Sequence, residues 1–291
     1  MKLGVVFPQT EIGSDVSGVR RYVTAVESVG FDHIATYDHV LGASPRPNLT
    51  GPYTLVDQFH EVMVLYGYVA AVTTRIELAT EILVLPQRQT ALAAKQAAEI
   101  DLLSGGRLRL GVGLGWNWVE YESLGMDFRN RGQRLEEQIA LIRELWANPD
   151  VAFEGRFESV KSAGLNPLPK RQIPIWIGAT ADAGLRRAAR IADGWQSELG
   201  LGPQLENNLS RLRGYLKEEG RDLATFGIAG EVGLGDSGID QAMDDVRAWR
   251  ALGATHVSLT TMGCGLAGAD DHVALLTLFK RAWDERADAT G

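Results

Sequence analysis

Four short clusters carry the groups best suited to chemistry: Asp38-His39, Thr80-Glu81-Ile82, the run Gly111-Val112-Gly113-Leu114-Gly115-Trp116, and Gly178-Ala179-Thr180. An imidazole beside a carboxylate can move a proton near neutral pH. Glycines at alternate positions bare one side of a chain exit, so a flat ring or a phosphate could rest on exposed N–H groups. A Gly-rich turn packed on a helix would look the same, and the segment alone favours neither. Thr180 precedes a helical stretch from Asp182, where backbone N–H groups suit a phosphate; Thr180 or Asp182 as an ordinary helix cap fits equally well. Glu81 interrupts the apolar run from Leu78 to Leu85, and a carboxylate there must be paired, solvated by a cleft, or pushed to the rim. Arg88 and Lys95 are its candidate ion-pair partners if it faces outward.

Other chemistries lose ground. A dinucleotide fingerprint would need glycine at 116 or 118, and both are tryptophan. His60-Glu61 has Val64 where a zinc-peptidase helix carries its second histidine, so no metal is expected. Neither a serine-hydrolase elbow nor a phosphate-loop lysine occurs. A net charge of −8 with scattered Lys and Arg argues for a small-molecule substrate and against nucleic acid or an anionic membrane. One cysteine, Cys264, excludes an intrachain disulfide framework and fits a reducing compartment. The opening apolar run is too short for a signal peptide and no later one would span a bilayer, so a cytoplasmic location is expected.

The elements that must position these clusters alternate regularly. Apolar, β-branched runs predict strands near 2–7, 33–37, 76–84, 107–113, 173–178, 194–197, 226–232 and 255–260. Between them the spacing predicts helices near 15–29, 57–74, 90–103, 131–147, 182–192, 203–219, 238–252 and 270–285. Val16, Val19, Val23 and Val26 trace one stripe, and Leu135, Ile139, Ile142 and Leu145 another. Gly30 and Gly253 supply C-terminal stops. Eight strand–helix pairs predict a single domain, 1–291, folded as a (β/α)₈ TIM barrel with chemistry at the strand ends. Asp38 and His39 then lie at a strand end, while His33 and His256 lie at strand starts and read as structural. Residues 40–56 form a long connection suited to a lid, 117–129 lie on the same face, and 151–160 read as a small hairpin insertion.

Placed in order, Tyr37-Asp38-His39-Val40, Ile76 to Pro86, Lys95-Gln96, Leu103-Ser-Gly-Gly to Trp116, Arg131-Gly132 with Arg134 to Glu137, Pro174 to Gly178 and Ala192-Asp-Gly-Trp195 resemble the bacterial luciferase-like monooxygenase superfamily, nearly end to end. Within it, the chain is most similar to the coenzyme F420-dependent oxidoreductases. The resemblance implies FMN or F420 at the C-terminal strand ends and a non-prolyl cis peptide at Glu81-Ile82, with the backbone of Thr80, Glu81 and Ile82 against the tricyclic ring. It implies that Asp38 and His39 border that ring, with His39 the catalytic proton donor or stabiliser. Gly111, Gly113, Leu114 and Gly115, with Gly178, Ala179 and Thr180, would hold the ribityl chain and phosphate, and Trp116 would complete the pocket wall. Trp116 stands where the group's sugar-phosphate dehydrogenases carry a glutamate acid, which argues against that substrate class.

The expected function is hydride transfer between F420 and a small organic substrate, in a homodimer. An FMN-dependent monooxygenase fed by a separate reductase shares the same barrel motifs, and a non-catalytic barrel that stores or senses the cofactor would bind without turnover. A barrel aldolase would want a reactive lysine at a strand end, and none is evident.

Overall fold

In a computed structural model, which describes residues 1–235 and 238–288, the apolar runs become strands and the amphipathic stretches helices. In chain order the strands are β1 (Lys2–Val6), β2 (His33–Thr36), β3 (Glu77–Thr80), β4 (Leu108–Val112), β5 (Val151–Glu154), β6 (Ser159–Ala163), β7 (Ile175–Gly178), β8 (Gly194–Gln196), β9 (Gly227–Gly233) and β10 (His256–Thr260). Eight of these close a parallel barrel in the order β1, β2, β3, β4, β7, β8, β9, β10 and back to β1, as predicted. β5 and β6 form the separate antiparallel hairpin.

The helices are α1 (Gln9–Ile12), α2 (Val16–Val29), α3 (Val62–Val72), α4 (Thr90–Leu103), α5 (Trp118–Ser123), α6 (Arg131–Ala147), α7 (Asp182–Ile191), α8 (Pro203–Glu218), α9 (Gly238–Ala251) and α10 (Ala269–Asp288). Val19, Val23 and Val26 of α2 and Leu135, Ile139, Ile142 and Leu145 of α6 are buried, whereas Val16 at the end of its stripe is exposed. Gly30 ends α2 in the left-handed region at φ 102°, where its N–H closes back on Glu27 and Val26. No helix among the described residues is long and apolar enough to cross a membrane.

Two departures from the predicted elements bear on the site. The run at 76–84 is not one strand: β3 stops at Thr80, the Glu81–Ile82 peptide is cis, as the resemblance implies, and the chain rejoins β4 through a bridge between Leu83 and Val112. The helix predicted from residue 57 begins at Val62, where the Glu61 side chain caps it, so the connection after β2 runs to residue 61. Helices α1 and α5 were not anticipated, being too short to show a period.

Candidate functional site

The C-terminal ends of the barrel strands surround a cavity of about 690 Å³. β2 leads into it with Tyr37, Asp38 and His39, β3 with Glu81 and Ile82, β7 with Gly178, Ala179 and Thr180, and β9 contributes Glu231. Asp38 is almost fully buried and clamps the exit of β3: its carboxylate accepts from Val84 N at 3.0 Å and from Arg88 Nη2 at 2.7 Å. Burial pushes this carboxyl up, with Arg88 and the Val84 N–H opposing. Arg88 reaches on to Glu61 at 2.7 Å, so it fastens the start of α3 to the same clamp.

His39 is oriented by a residue the sequence reading missed. Its Nδ1 lies 3.2 Å from Glu120 Oε2, and that buried carboxylate also accepts from the N–H groups of Val40 and Leu41 and from Gln87 Nε2 at 3.3 Å. Burial pushes the Glu120 carboxyl up, but the His39 hydrogen bond and the two backbone donors outweigh it and hold it below the usual carboxylate range. An ionised acceptor at Nδ1 selects the Nδ1–H tautomer and leaves Nε2 as the working atom. Tyr53, Phe59 and Trp116 pack edgewise around the ring, at centroid distances of 5.5, 4.8 and 5.4 Å. Glu120 stands on α5, whose N-cap Asn117 accepts from the Val119 and Glu120 N–H groups. The Asn117-x-x-Glu120 spacing is a capping-box pattern, the one sequence signal that marks this glutamate.

The glycine run sits differently from the expected bare floor. A Cβ on Gly111 would lie 2.1 Å from the Thr80 carbonyl oxygen, and one on Gly113 would lie 2.7 Å from the Ile82 side chain. These two glycines therefore admit the kinked exit of β3 rather than a ligand, and with Thr80, whose hydroxyl donates to Gly111 O at 2.6 Å, they lie behind the cavity wall. Gly178 is bare against Ile82 as well, at 2.8 Å. Leu114, Gly115 and Trp116 do line the cavity, as do Gly178, Ala179 and Thr180. Gly115 adopts φ +61°, which a side chain would resist.

Neither Thr180 nor Asp182 caps α7. The N-cap is Ala181 without a side-chain hydrogen bond, while Asp182 is engaged by Arg186, Arg211 and Tyr215. The first turn of α7 thus meets the cavity at Ala181 and Gly184 with no side-chain cap. Glu81 pairs with neither Arg88 nor Lys95; Lys95 is bound to Glu99, and Glu81 Oε1 accepts instead from Ser258 Oγ at 3.1 Å. Tyr37 donates its hydroxyl to Glu231 Oε2 at 2.5 Å, and Gln196 Oε1, buried at the cavity edge, has no partner among the described residues. Ser258, Glu231 and Gln196 were not singled out from the sequence, because single polar residues inside strands carry no spacing signal.

The model of the luciferase-like monooxygenase family matches residues 1–281. Among relatives, an uncharacterized protein of Mycobacterium bovis is 36% identical over 70% of this chain and 73% of its own length. An F420-dependent glucose-6-phosphate dehydrogenase of Microbacterium testaceum is 32% identical over 79% of this chain and 67% of its own. Among solved structures, the monooxygenase RslO1 of Streptomyces bottropensis superposes with a TM-score of 0.81 at 18% identity, covering 99% of this chain and all of that one, and so shares the fold. The chain belongs to the luciferase-like monooxygenase family of oxidoreductases.

Proposed function

We propose that the chain transfers a hydride between coenzyme F420 and a small, uncharged organic substrate at the mouth of the barrel. The observation that carries this reading is the His39–Glu120 pair, an oriented imidazole in the wall of a cavity whose floor is the Glu81–Ile82 turn. The residues present fit a flat tricyclic cofactor with a phosphate-bearing tail. Ile82 and Leu114 offer apolar surface, the unmatched Gln196 Oε1 is an acceptor for a ring N–H, and the open first turn of α7 suits a phosphate. When bound, a deazaflavin supplies hydride transfer, having carbon in place of the flavin's reactive nitrogen. The chain's own part is to orient the ring, to shield it with Pro52 and Tyr53 of the long connection after β2, and to hold or release a proton at His39 Nε2.

The named relative from Microbacterium testaceum supports F420 as the cofactor. The cavity argues against a sugar phosphate as the substrate. Glu81, Glu198 and Glu231 line it, and Arg187, the one Lys or Arg among the described lining residues, is held through Nε by Glu136 at 2.9 Å. Besides the α7 turn, which the cofactor's phosphate would take, a phosphorylated substrate would find three acidic side chains and the single guanidinium of Arg187, held through Nε by a Glu136 that Arg190 also binds. We also propose a homodimer, supported by exposed Leu55, Val56 and Val64 beside the cavity-covering connection.

The test is a titration of the purified protein with F420 and with FMN, followed by fluorescence. Saturable binding of the deazaflavin, in about the micromolar range, is expected. Saturable FMN binding with none of the deazaflavin would overturn the reading in favour of the flavin monooxygenase.

A further inference from the structure

Under the cavity floor the barrel interior is polar. Glu81 Oε1 accepts from Ser258 Oγ at 3.1 Å, and the same hydroxyl lies 2.9 Å from His33 Nε2. Ser258 and His33 are completely buried, and Glu81 is 8% exposed, at the cavity. β1 leaves room for the imidazole by carrying Gly4, where a Cβ would come within 2.3 Å of the ring. Arg109 donates through Nε to Glu77 at 2.6 Å, and its two buried Nη groups make no hydrogen bond among the described residues and act on Glu81 as a nearby charge; what Glu81 itself bonds is the Ser258 hydroxyl behind it, with the cavity before it.

A hydroxyl in that place serves both forms of the carboxyl. When Glu81 is ionised, Ser258 donates to it. When Glu81 is protonated, on the Oε2 left at the cavity, Oε1 still accepts from Ser258, and the His33 Nε2–H donates to Ser258 Oγ in both forms. Neither form leaves Glu81 without a partner, which is what a group that repeatedly gives and regains a proton requires.

We propose that Glu81 is a second proton-exchanging group of the site, working from the cavity floor opposite the His39–Glu120 pair, with Ser258, backed by His33, as the fixed hydrogen-bond donor behind it. The proposal rests on the reading of the cavity as a cofactor and substrate site. In the step, the Oε2–H bond of Glu81 breaks, its proton passes to a carbonyl oxygen or ring nitrogen of the molecule bound above, and Ser258 goes on donating to Oε1 of the new carboxylate. Water entering at the cavity mouth returns the proton; no electrons move.

The surroundings hold Glu81 where both forms are accessible. Burial pushes it up to about 7, with Glu231 of β9 and Glu77 adding to the rise and Arg109 of β4 and the Ser258 hydrogen bond opposing it. Tyr37 at the end of β2 hydrogen-bonds Glu231. His33 stays neutral beside it: burial, then Arg109 and His256, hold the ring well below the ordinary histidine range.

The test is infrared difference spectroscopy of the cofactor-free protein between about pH 5 and about pH 9. A buried-acid carbonyl band that titrates near pH 7 and is absent from Glu81→Gln is expected. Ser258→Ala, which removes the donor to the ionised form, should move the midpoint up by about one pH unit. A wild-type protein with no such band, a band that survives Glu81→Gln, or a midpoint unmoved in Ser258→Ala would each overturn the proposal. Because the band is read without ligand, failure of both F420 and FMN to bind would sink the functional reading while the titration still decides this one.

Discussion

His39 and Glu120 lie 81 residues apart in the chain, yet Nδ1 of the imidazole stands 3.2 Å from Oε2 of the carboxylate, and the same carboxylate gathers the N–H groups of Val40 and Leu41. One side chain therefore fixes both the catalytic candidate and the first residues of the connection that covers the cavity. This joint duty predicts two separable effects. Glu120→Gln keeps acceptor capacity but loses the charge, so it should bind cofactor normally while turnover falls by about 10- to 100-fold. Glu120→Ala strands the donors of Val40, Leu41 and Gln87 in a buried place, and urea unfolding should show a loss of about 2–4 kcal/mol. Hydrogen exchange at the Val40 and Leu41 amides should quicken in Glu120→Ala and not in Glu120→Gln. Equal exchange in both variants would show that the connection is held by something else.

The pH dependence of stability has two limbs with opposite signs. Burial pushes Glu77 up, but Arg109 outweighs it, aided by Lys2, and brings the carboxyl down to about 2. A lowered folded-state value means stability that is present above the unfolded value of 4.5 and is lost as pH falls towards 2. Glu81 is the reverse: raised to about 7, it favours the fold below 4.5, and that advantage disappears as pH rises through 7. Urea midpoints should therefore drop on both sides of a maximum near pH 4.5, the upper limb falling between 4.5 and about 7. Glu81→Gln should flatten the upper limb, raising stability at pH 8 relative to the parent by about 3 kcal/mol. An upper limb unchanged in that variant would assign the loss to other groups.

The barrel was readable because its signals are local and repeat. The α4 start at Thr90, the α6 start at Arg131 and the α8 start at Pro203 fall where the sequence places them. His39 was readable too, since a strand end can be located from its apolar run. What escaped depends on contact across the fold. Glu120 sits on a helix of six residues, below the length at which periodicity shows, and its partner comes from another strand end. The run from Leu78 to Leu85 is broken by Glu81 and is apolar again from Ile82, so hydropathy alone reads it as one strand with an odd carboxylate; the end of β3 at Thr80 was marked by the resemblance, through the cis peptide it implies at Glu81–Ile82. A glycine has no side chain to reveal which way it faces, and the sequence therefore could not tell that Gly111 and Gly113 look towards β3.

That orientation makes the two glycines unequal. At Gly111 the obstacle to a methyl group is backbone, the Thr80 carbonyl at 2.1 Å, whereas at Gly113 it is the end of the Ile82 side chain at 2.7 Å. Gly111→Ala must push β3 and β4 apart and should cost more than about 3 kcal/mol or prevent folding. Gly113→Ala can be met by rotating Ile82, which moves that side chain into the cavity. It should remain folded, with a melting temperature within a few degrees of the parent by about 1 kcal/mol of change, but bind the tricyclic cofactor at least about tenfold more weakly. Normal cofactor affinity in a folded Gly113→Ala protein would mean that Ile82 does not border the ring.

Trp116 decides the last prediction. Its indole packs 5.4 Å from the His39 ring and fills the space beside Gly51, where a Cβ would come within 2.3 Å of it. The wall next to the imidazole is thus apolar and closed where the resemblance places a glutamate in sugar-phosphate dehydrogenases. The remaining lining adds acidic side chains at Glu81, Glu198 and Glu231, and its one Lys or Arg among the described residues, Arg187, is held by Glu136. Reduction of F420 by glucose 6-phosphate should therefore be undetectable, although a relative named for that activity is 32% identical. Trp116→Glu should not create it either, because a carboxylate adds an acid but no second phosphate site beyond the α7 turn that the cofactor would occupy. Trp116→Ala should instead enlarge the pocket and shift preference among uncharged alcohols and carbonyl compounds towards bulkier ones. Turnover of glucose 6-phosphate by the parent protein would show that the phosphate finds a cationic site outside this cavity, and would break the charge argument on which the substrate class rests.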